Sequence, residues 1–469
     1  MFGLAGTVLE RRYGLAGRSA LVAAAMVVLG MQACAAPANT WHQVDSVAPA
    51  LSSWEGREVG KTFPNPFTDL PAQNVHGRWL RVSGTVDEPR SGMQFLLTVF
   101  EQATIRTRSA PALCRPDNVA GRTRCVGLLW VPPEATRVRV VVWASLAPGH
   151  IHDVRLEMAD TGSPPAAQMR QRLASIIDLV QERYYRSHEV DWPQLREAFA
   201  AIPEPPSDVD PLPTLVQLLR DRLPGNRHTS LRLASPVSSA SIELPTCDRW
   251  QGGVWALHLP ATSFKYEDGL RAYVEAAHAC LDRTPASTPW VIDLRGNQGG
   301  GMHPMLAAVQ DFFAPGPLMT FLDESLQVNS DKVAIAPEGL IQSGEVIVPA
   351  SAPLTGRRAA ARVVVVIDSS CGSACETVAI AFRDRPGTRL VGEPTAGLTT
   401  GNVGHPINED YTLTLTEGYM ADRCGKRVPE RIPPDTVIDP KDEAAAAAEL
   451  RRLVSARLPG EAPKPCERG

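Results

Sequence analysis

Two short runs rich in aliphatic residues lie in the carboxy-terminal half of the chain, and a helix-forming segment follows each of them. Residues 290–294 and 361–368 are dominated by aliphatic side chains, which predicts strands buried on both faces. The sequence around them predicts one further strand and three helices, at residues 254–259, 269–281, 304–313 and 374–383. This alternation predicts a mostly parallel sheet covered by helices, an α/β core that we assign to residues 236–455.

The amino-terminal region has a different pattern, with short strands and no helical period. Apolar and polar residues alternate over residues 79–86, and three apolar runs follow, at residues 95–100, 126–131 and 138–143. Pro and Gly separate these runs, which predicts an all-β sandwich over residues 36–160. Residues 131–157 resemble the end of carbohydrate-binding jelly rolls. A jelly-roll-like sandwich that contacts glycans is therefore one expectation, and a structural or protein-contacting sandwich is the other.

A helical segment separates these two regions and makes the chain multidomain. Residues 161–165 (Thr-Gly-Ser-Pro-Pro) predict a linker. One helical stripe follows, formed by Leu173, Ile176, Ile177, Val180 and Tyr184. Two more helical pieces are predicted at residues 192–201 and 215–223. We assign residues 161–235 to the linker and a helical cap, and residues 456–469 to a carboxy-terminal tail.

The amino terminus has the order of charges and apolar residues that is typical of an export signal. Three arginines, at positions 11, 12 and 18, precede an apolar stretch at residues 20–30, and small residues follow. We expect a signal peptide over residues 1–35 and a periplasmic or secreted protein, because the apolar stretch is too short for a membrane span. Since Cys34 closes the stretch, a lipoprotein anchored at Cys34 is the alternative, and only that form would sit on the membrane.

Export changes how the cysteines are interpreted. Eight of the nine cysteines follow Cys34, and an even number in an oxidising compartment allows disulfides. Cys114 and Cys125 flank a polar, turn-rich loop between two apolar runs, so we predict that they form a pair; the other pairings stay open. The net charge of −4 and the absence of basic runs interleaved with aromatic residues argue against a nucleic-acid partner.

Two loops at the ends of predicted buried strands contain residues suited to catalysis. In residues 368–376, small residues and Ser373 stand where a strand gives way to a helix, whose first N–H groups lack intrahelical partners. A Ser at such a position is most often only a helix cap. Residues 296–301 form a glycine-rich turn that lacks the Gly-Lys-Ser/Thr of a phosphate loop. Glycine N–H groups beside a nucleophile form an oxyanion hole instead.

Together these segments resemble the carboxy-terminal processing or tail-specific proteases, a family of serine peptidases that includes the tricorn core protease. The resemblance covers roughly residues 165–455 and rests on four motifs in order, at residues 293–300 (Asp-Leu-Arg-Gly-Asn-Gln-Gly-Gly), 370–376, 391–397 (Val-Gly-Glu-Pro-Thr-Ala-Gly) and 433–435. It implies a serine endopeptidase with Ser373 as the nucleophile of an acyl-enzyme. It also implies a peptide or protein substrate, and no metal or organic cofactor.

The departures from the family pattern bear on the general base. Many members have a Lys after the last Gly of the third motif, and this chain has Leu398 there, which cannot accept a proton. The tricorn branch uses a His from the cap, and His228 stands at the matching position, with His405 as its rival. We expect that base to titrate near pH 6–7, the ordinary imidazole range. By position, the resemblance also suggests Glu430 as a third member and the N–H groups of Gly300 and Ala374 as the oxyanion hole.

A second departure concerns substrate capture. Only about twenty residues separate Leu231 from Val254, too few for the PDZ domain that usually lies between cap and core in this family. Recognition of a substrate carboxyl terminus is therefore not supported. Because the Lys is missing, a catalytically impaired member that binds peptides or glycans in the cell envelope is the alternative function.

Overall fold

The computed structural model describes residues 40–60, 66–87, 93–119, 121–144, 148–159, 167–206, 208–234, 243–250, 253–262, 267–328, 332–350, 353–456 and 466. The predicted signal peptide, the alternative anchor at Cys34 and the predicted linker at residues 161–165 lie outside these residues. Among the described residues, no helix is both long enough and apolar enough to span a membrane.

Ten strands and one short helix form the amino-terminal part of the molecule. They are β1 (Trp41–Gln43), α1 (Ala48–Ser52), β2 (Arg57–Val59), β3 (Phe67–Pro71), β4 (Arg78–Val86), β5 (Met93–Glu101), β6 (Thr104–Arg108), β7 (Leu113–Pro116), β8 (Thr123–Val131), β9 (Arg137–Ala144) and β10 (Gly149–Ala159). One antiparallel sheet has the order β1-β10-β4-β8-β7, with β2 paired to β10, and the other has the order β3-β9-β5-β6. We call this part the sandwich.

The apolar core of the sandwich follows from the two-residue period of its strands. Leu80 and Val82 of β4 are fully buried, and so are Phe95 and Leu97 of β5 in the other sheet. Because alternate residues of a strand point to opposite faces, each sheet supplies one apolar layer. The predicted disulfide is confirmed, since Cys114 and Cys125 are paired neighbours on β7 and β8 with an S–S distance of 2.03 Å. The jelly-roll likeness stays a prediction.

Three helices follow and make the helical cap, which we define as residues 167–206 and 208–229. They are α2 (Ala167–Arg183), α3 (Trp192–Ala200) and α4 (Leu212–Arg222). The predicted stripe of α2 is buried, and the Asp191 carboxylate caps α3 by accepting a hydrogen bond from Gln194 N at 3.1 Å. The buried faces of these helices share one apolar cluster with Trp79 and Trp130 of the sandwich.

The remaining elements belong to the core. They are β11 (Ser230–Leu233), β12 (Thr246–Arg249), β13 (Trp255–His258), α5 (Glu267–Leu281), β14 (Trp290–Asp293), α6 (Met302–Ala308), β15 (Gly316–Leu322), β16 (Val333–Ala336), β17 (Gly339–Gln342), β18 (Glu345–Pro349), β19 (Val363–Ile367), α7 (Ala374–Arg383), β20 (Thr388–Gly392), β21 (Thr400–Pro406), β22 (Tyr411–Asp422), β23 (Thr436–Val437) and α8 (Glu443–Ser455).

The predicted parallel sheet is present, in the order β12-β13-β14-β19-β20-β23 with only β12 antiparallel. In β19, Val363, Val365 and Ile367 belong to the apolar cluster beneath α5, α6 and α7. Val364 and Val366 belong instead to a second cluster with Leu450 of α8. Helices therefore cover both faces of the sheet, which explains why the strand carries aliphatic side chains in succession.

A second sheet in the core was not predicted. It is antiparallel, with the order β11-β22-β15-β16-β17-β18 and β21 paired to β22. From the sequence we assign residues 236–455 to one α/β core and predict no strands at residues 316–349 or 400–422, where most of this sheet lies. The strands β16, β17 and β18 have four or five residues each, too few for a clear period. Helix α6 also ends earlier than predicted, because a 3-10 turn over Gln310–Phe312 replaces its last part.

Candidate active site

Three turns meet at one edge of the parallel sheet. Residues 294–301 follow β14, residues 368–373 follow β19 and residues 393–399 follow β20. Because these strands are parallel neighbours, their carboxyl ends lie side by side. Backbone hydrogen bonds join the turns, from Gly372 N to Asn297 O at 3.2 Å and from Ala396 N to Cys371 O at 2.8 Å. Three of the four sequence motifs are thereby brought into contact.

The middle turn, residues 368–373, which we call the serine turn, holds Ser373 in a backbone conformation that is uncommon for a residue with a side chain. Its φ is +57° and its ψ is −117°, immediately before the first residue of α7. Such a conformation costs roughly 1–3 kcal/mol and persists only where the surroundings impose it. A disulfide between Cys371 and Cys375 brackets the serine, and both cysteines are fully buried. The turn therefore has a covalent constraint on either side of Ser373.

Glu376 connects this turn to the one after β20. Its buried carboxylate accepts hydrogen bonds from four groups: Ser373 N (2.9 Å), Thr395 Oγ1 (2.5 Å), Gly397 N (3.0 Å) and Leu398 N (2.8 Å). Burial raises the pKa of Glu376, and the hydrogen bonds act in the opposite direction. The side chain fixes the start of α7 relative to the Gly-Glu-Pro-Thr turn.

His228 lies beside Ser373. Its Nε2 is 2.9 Å from Ser373 Oγ, which is within hydrogen-bond reach for a base and its nucleophile. Burial lowers the pKa of His228 to about 4, and the positive charge of Arg232 adds to this effect. The ring is therefore neutral at physiological pH, as a proton acceptor must be. The sequence-based expectation of a pKa near 6–7 did not include the burial of the ring against its neighbours.

The other ring nitrogen of His228 contacts a residue that the sequence did not single out. Nδ1 is 2.7 Å from Thr400 Oγ1 at the start of β21. If Nδ1 carries the proton, it donates to Thr400 and leaves Nε2 free to accept the proton of Ser373. Thr400 thus occupies the place at Nδ1 that a carboxylate occupies in a Ser-His-Asp triad.

The structure places the two other predicted side chains away from Ser373. His405 contacts Glu417, with its Nε2 2.5 Å from Oε1. Glu430 is 72% exposed and forms an ion pair with Arg227, in which Arg227 Nη1 lies 3.1 Å from Glu430 Oε1. Among the described contacts neither side chain reaches Ser373 or His228. Leu398, at the position where the sequence resemblance led us to look for a lysine base, lies close to Gly372.

The backbone of the glycine-rich turn packs closely against the serine turn. At Gly299 a Cβ would lie 2.5 Å from Gly372 O and 2.9 Å from Ser373 Cβ, so only glycine fits there. The N–H groups of Gly299 and Gly301 donate to Asn297 Oδ1 (2.8 Å) and Thr262 Oγ1 (2.7 Å). For Gly300 N and Ala374 N, no acceptor is recorded among the described residues. These two N–H groups are those predicted for the oxyanion hole.

Ser373 and His228 open onto a cleft of about 1190 Å³ between the cap and the core. Its lining combines apolar side chains such as Phe321 and Met420 with charged groups. The acidic groups are Glu182, Asp323, Glu324 and Glu417, and the basic ones are Arg183, Arg227 and Arg232. Within the described part of the chain, no three His, Cys, Asp or Glu side chains stand close enough together to hold a metal ion.

Sequence reasoning missed three features of the site: Thr400, Asn402 and the disulfide between Cys371 and Cys375. Thr400 reaches His228 across 172 positions of the chain, and Asn402 donates to His228 O at 3.3 Å. The disulfide partners Cys371 and Cys375 are close in sequence, but an even cysteine count does not give connectivity. No spacing or motif marks Thr400, because its contact depends on how β21 packs against the cap.

Comparison with known proteins finds a family match for the part of the chain that contains these turns. Residues 257–438 match the model of peptidase family S41. The nisin-resistance protein of Lactococcus lactis subsp. lactis is 30% identical over 133 residues, which are 28% of this chain and 40% of that protein. The chain thus matches less than half the length of this curated relative.

Solved structures that match part of this chain include a lipoprotein from Streptococcus agalactiae and a photosystem II D1 carboxy-terminal processing protease. The first has a TM-score of 0.48 at 18% identity and covers 61% of this chain and 98% of its own. The second has a TM-score of 0.38 at 12% identity and covers 59% and 94%. The family match spans the glycine-rich turn, the serine turn and the Gly-Glu-Pro-Thr turn, so residues 257–438 of this chain are similar to the serine peptidases of family S41.

Proposed function

We propose that the protein is an exported serine endopeptidase that hydrolyses peptide bonds through an acyl-enzyme on Ser373, with His228 as the general base. The distance of 2.9 Å between His228 Nε2 and Ser373 Oγ carries the proposal. A neutral imidazole at this distance can accept the proton of Ser373, which is the role of a lysine in many family members. Leu398 has no group that could accept it.

The contacts support a sequence of proton transfers. His228 Nε2 accepts the proton of Ser373 as Oγ attacks the peptide carbonyl. The N–H groups of Gly300 and Ala374 stabilise the resulting oxyanion, and the protonated ring then donates its proton to the leaving amine. Water repeats the cycle and releases the acyl group. Thr400 orients the ring throughout but adds no negative charge, so we propose an orienting role for it.

The substrate is a peptide or protein that enters the cleft in an extended form. The cleft of about 1190 Å³ is larger than one side chain needs, and charges of both signs line it. The name of the Lactococcus relative makes nisin one peptide to test. Glycan contact through the sandwich stays a prediction.

Export is supported by the cysteines. Besides Cys114–Cys125 and Cys371–Cys375, the structure pairs Cys247 with Cys280 and Cys424 with Cys466. All eight cysteines after Cys34 are thereby paired, as suits an oxidising compartment. The amino-terminal pattern of charges and apolar residues supports the same location.

Labelling with a serine-directed phosphonylating probe tests the proposal. Wild-type protein should be labelled on the peptide that contains Ser373, and Ser373→Ala should be neither labelled nor active while it unfolds at a similar temperature. Ser370→Ala is the matched control, since that serine lies in the same turn and should keep both properties. A folded wild-type protein that is never labelled would support the alternative of a peptide-binding, catalytically impaired member.

A further inference from the structure

The backbone turn that carries His228 is held at nearly every carbonyl oxygen. We call residues 224–229 the histidine turn. Side-chain donors reach five of its six carbonyls: Tyr184 OH to Pro224 O (2.6 Å), Tyr185 OH to Gly225 O (2.9 Å), Arg220 Nη2 to Asn226 O (3.3 Å), Asn402 Nδ2 to His228 O (3.3 Å) and Arg220 Nε to Thr229 O (2.9 Å). The turn has little regular structure of its own, so these donors fix its path.

Arg220 is the donor that holds two of these carbonyls. Its guanidinium is planar and presents several N–H groups in a fixed arrangement, so its orientation decides where both carbonyls lie. That orientation is set by Asp221, whose Oδ1 accepts from Arg220 Nη1 at 2.6 Å. The carboxylate of Asp221 is only 9% exposed. A buried carboxylate of this kind keeps its place when further donors surround it.

Two of those further donors come from the sandwich. Thr107 of β6, itself only 2% exposed, donates through Oγ1 to Asp221 Oδ2 at 2.7 Å. The backbone N–H of Arg108 donates to the same oxygen at 3.3 Å. Gln217 on α4 contacts both carboxylate oxygens through Nε2. A chain of polar contacts therefore leads from β6 through Asp221 and Arg220 to the histidine turn.

We propose that Asp221 is a positioning residue through which the sandwich fixes the general base. In this arrangement the amino-terminal sandwich is part of the catalytic apparatus, because β6 orients Asp221, Asp221 orients Arg220, and Arg220 holds the carbonyls on both sides of His228. The inference rests on the proposed function, in which His228 acts as the base. Asp221 itself contacts neither Ser373 nor His228 among the described residues.

Other polar contacts of the sandwich lead elsewhere and provide a control. Arg115 on β7 forms an ion pair at 2.9 Å with Asp410, the residue immediately before β22. This pair also joins the sandwich to the rest of the molecule, but its recorded side-chain contacts do not continue to the histidine turn. A substitution there weakens the attachment of the sandwich without acting on Arg220.

Steady-state kinetics on a peptide or ester substrate test the proposal in the full-length protein. Thr107→Val removes the hydroxyl at nearly constant volume and should lower kcat by roughly 3- to 10-fold. Asp221→Asn should lower kcat by roughly 10- to 100-fold, because misplacement of a base slows the chemical step. In both variants KM should stay within about twofold of wild type, as expected when only the transition state is affected. Thr107→Ser keeps the hydroxyl and should restore wild-type kcat, and Asp410→Asn should leave kcat unchanged.

Two results would overturn the inference. One is a wild-type kcat in folded Thr107→Val and Asp221→Asn, with melting temperatures above that of the assay. The other is an equal loss in Asp410→Asn, which would mean that any weakening of the sandwich has this effect. If Asp221→Asn does not fold, the comparison of kcat between Thr107→Val and Thr107→Ser still tests the inference. Failure of the proposed function would look different, since the wild-type protein would then be inactive and unlabelled.

Discussion

The serine turn and the histidine turn hold their residues by different means. The serine turn, residues 368–373, is built locally: a buried strand precedes it, helix α7 follows it, and a disulfide joins Cys371 to Cys375. The histidine turn is held from outside, by donors immediately after α2, on α4 and on β21. A local constraint tolerates change elsewhere in the molecule. A turn held by distant side chains depends on how the whole chain packs.

The largest effect should come from removing the base, which tests whether the two turns act as one unit. His228→Ala should lower kcat by roughly 10⁴-fold or more, close to the loss in Ser373→Ala. The effects of substituting residues that act as a unit are not additive, because removing either one already disables the unit. His405→Ala is the matched control and should cost far less, because that ring contacts Glu417 instead. Steady-state kinetics of the three variants measure this. The reverse ranking of the two histidine variants would move the base to His405.

A smaller effect should follow when the serine turn is pushed away from its glycine neighbour. In Gly299→Ala the new Cβ would approach Gly372 O to 2.5 Å, with φ at +101°. The serine turn must then shift, and we expect kcat to fall on the order of 10²-fold. Gly296→Ala is the control, since its φ of +71° is also positive but its Cβ meets nothing within 4 Å. Equal kcat values in the two variants would show that backbone strain, not the contact with Ser373, is responsible.

The same contrast explains what the sequence could predict. Helix α7 begins and ends where it was predicted, because a valine-rich strand, a turn of small residues and a helical stripe follow one another along the chain. The pairing of Cys114 with Cys125 was predictable for a similar reason, since two short strands joined by a tight loop bring them opposite each other. In each case the structure depends on residues that are near one another in sequence.

The surroundings of the histidine turn were not predictable in this way. His228 was chosen by resemblance, but its partner Thr400 and the lowered pKa of its ring both depend on contacts between distant segments. The same holds for the second sheet, in which β22 pairs with β11, β15 and β21. Glu430 was placed by position in the family motif, and its actual partner is Arg227 on the histidine turn.

The smallest expected effect is a shift in pH dependence. Arg232 lowers the pKa of His228 through its positive charge, so Arg232→Gln should move the midpoint of the pH–rate profile upward. The plateau rate should stay close to that of wild type, because Arg232 does not contact the ring among the described hydrogen bonds. Arg227→Gln is the control. Because the guanidinium of Arg227 is paired with Glu430, its removal should shift the midpoint less. An unchanged midpoint in Arg232→Gln would mean that solvent screens this charge.

The pH dependence of Ser373 phosphonylation in the wild-type protein tests the central claim most directly. A base acts only when unprotonated, so the rate should rise with pH through the pKa of His228 and level off above it. With that pKa lowered to about 4, we expect a single ionisation with its midpoint near pH 4 and a flat rate through neutral pH, while circular dichroism shows that the protein stays folded. A midpoint in the alkaline range would contradict the account, because a group other than His228 would then activate Ser373.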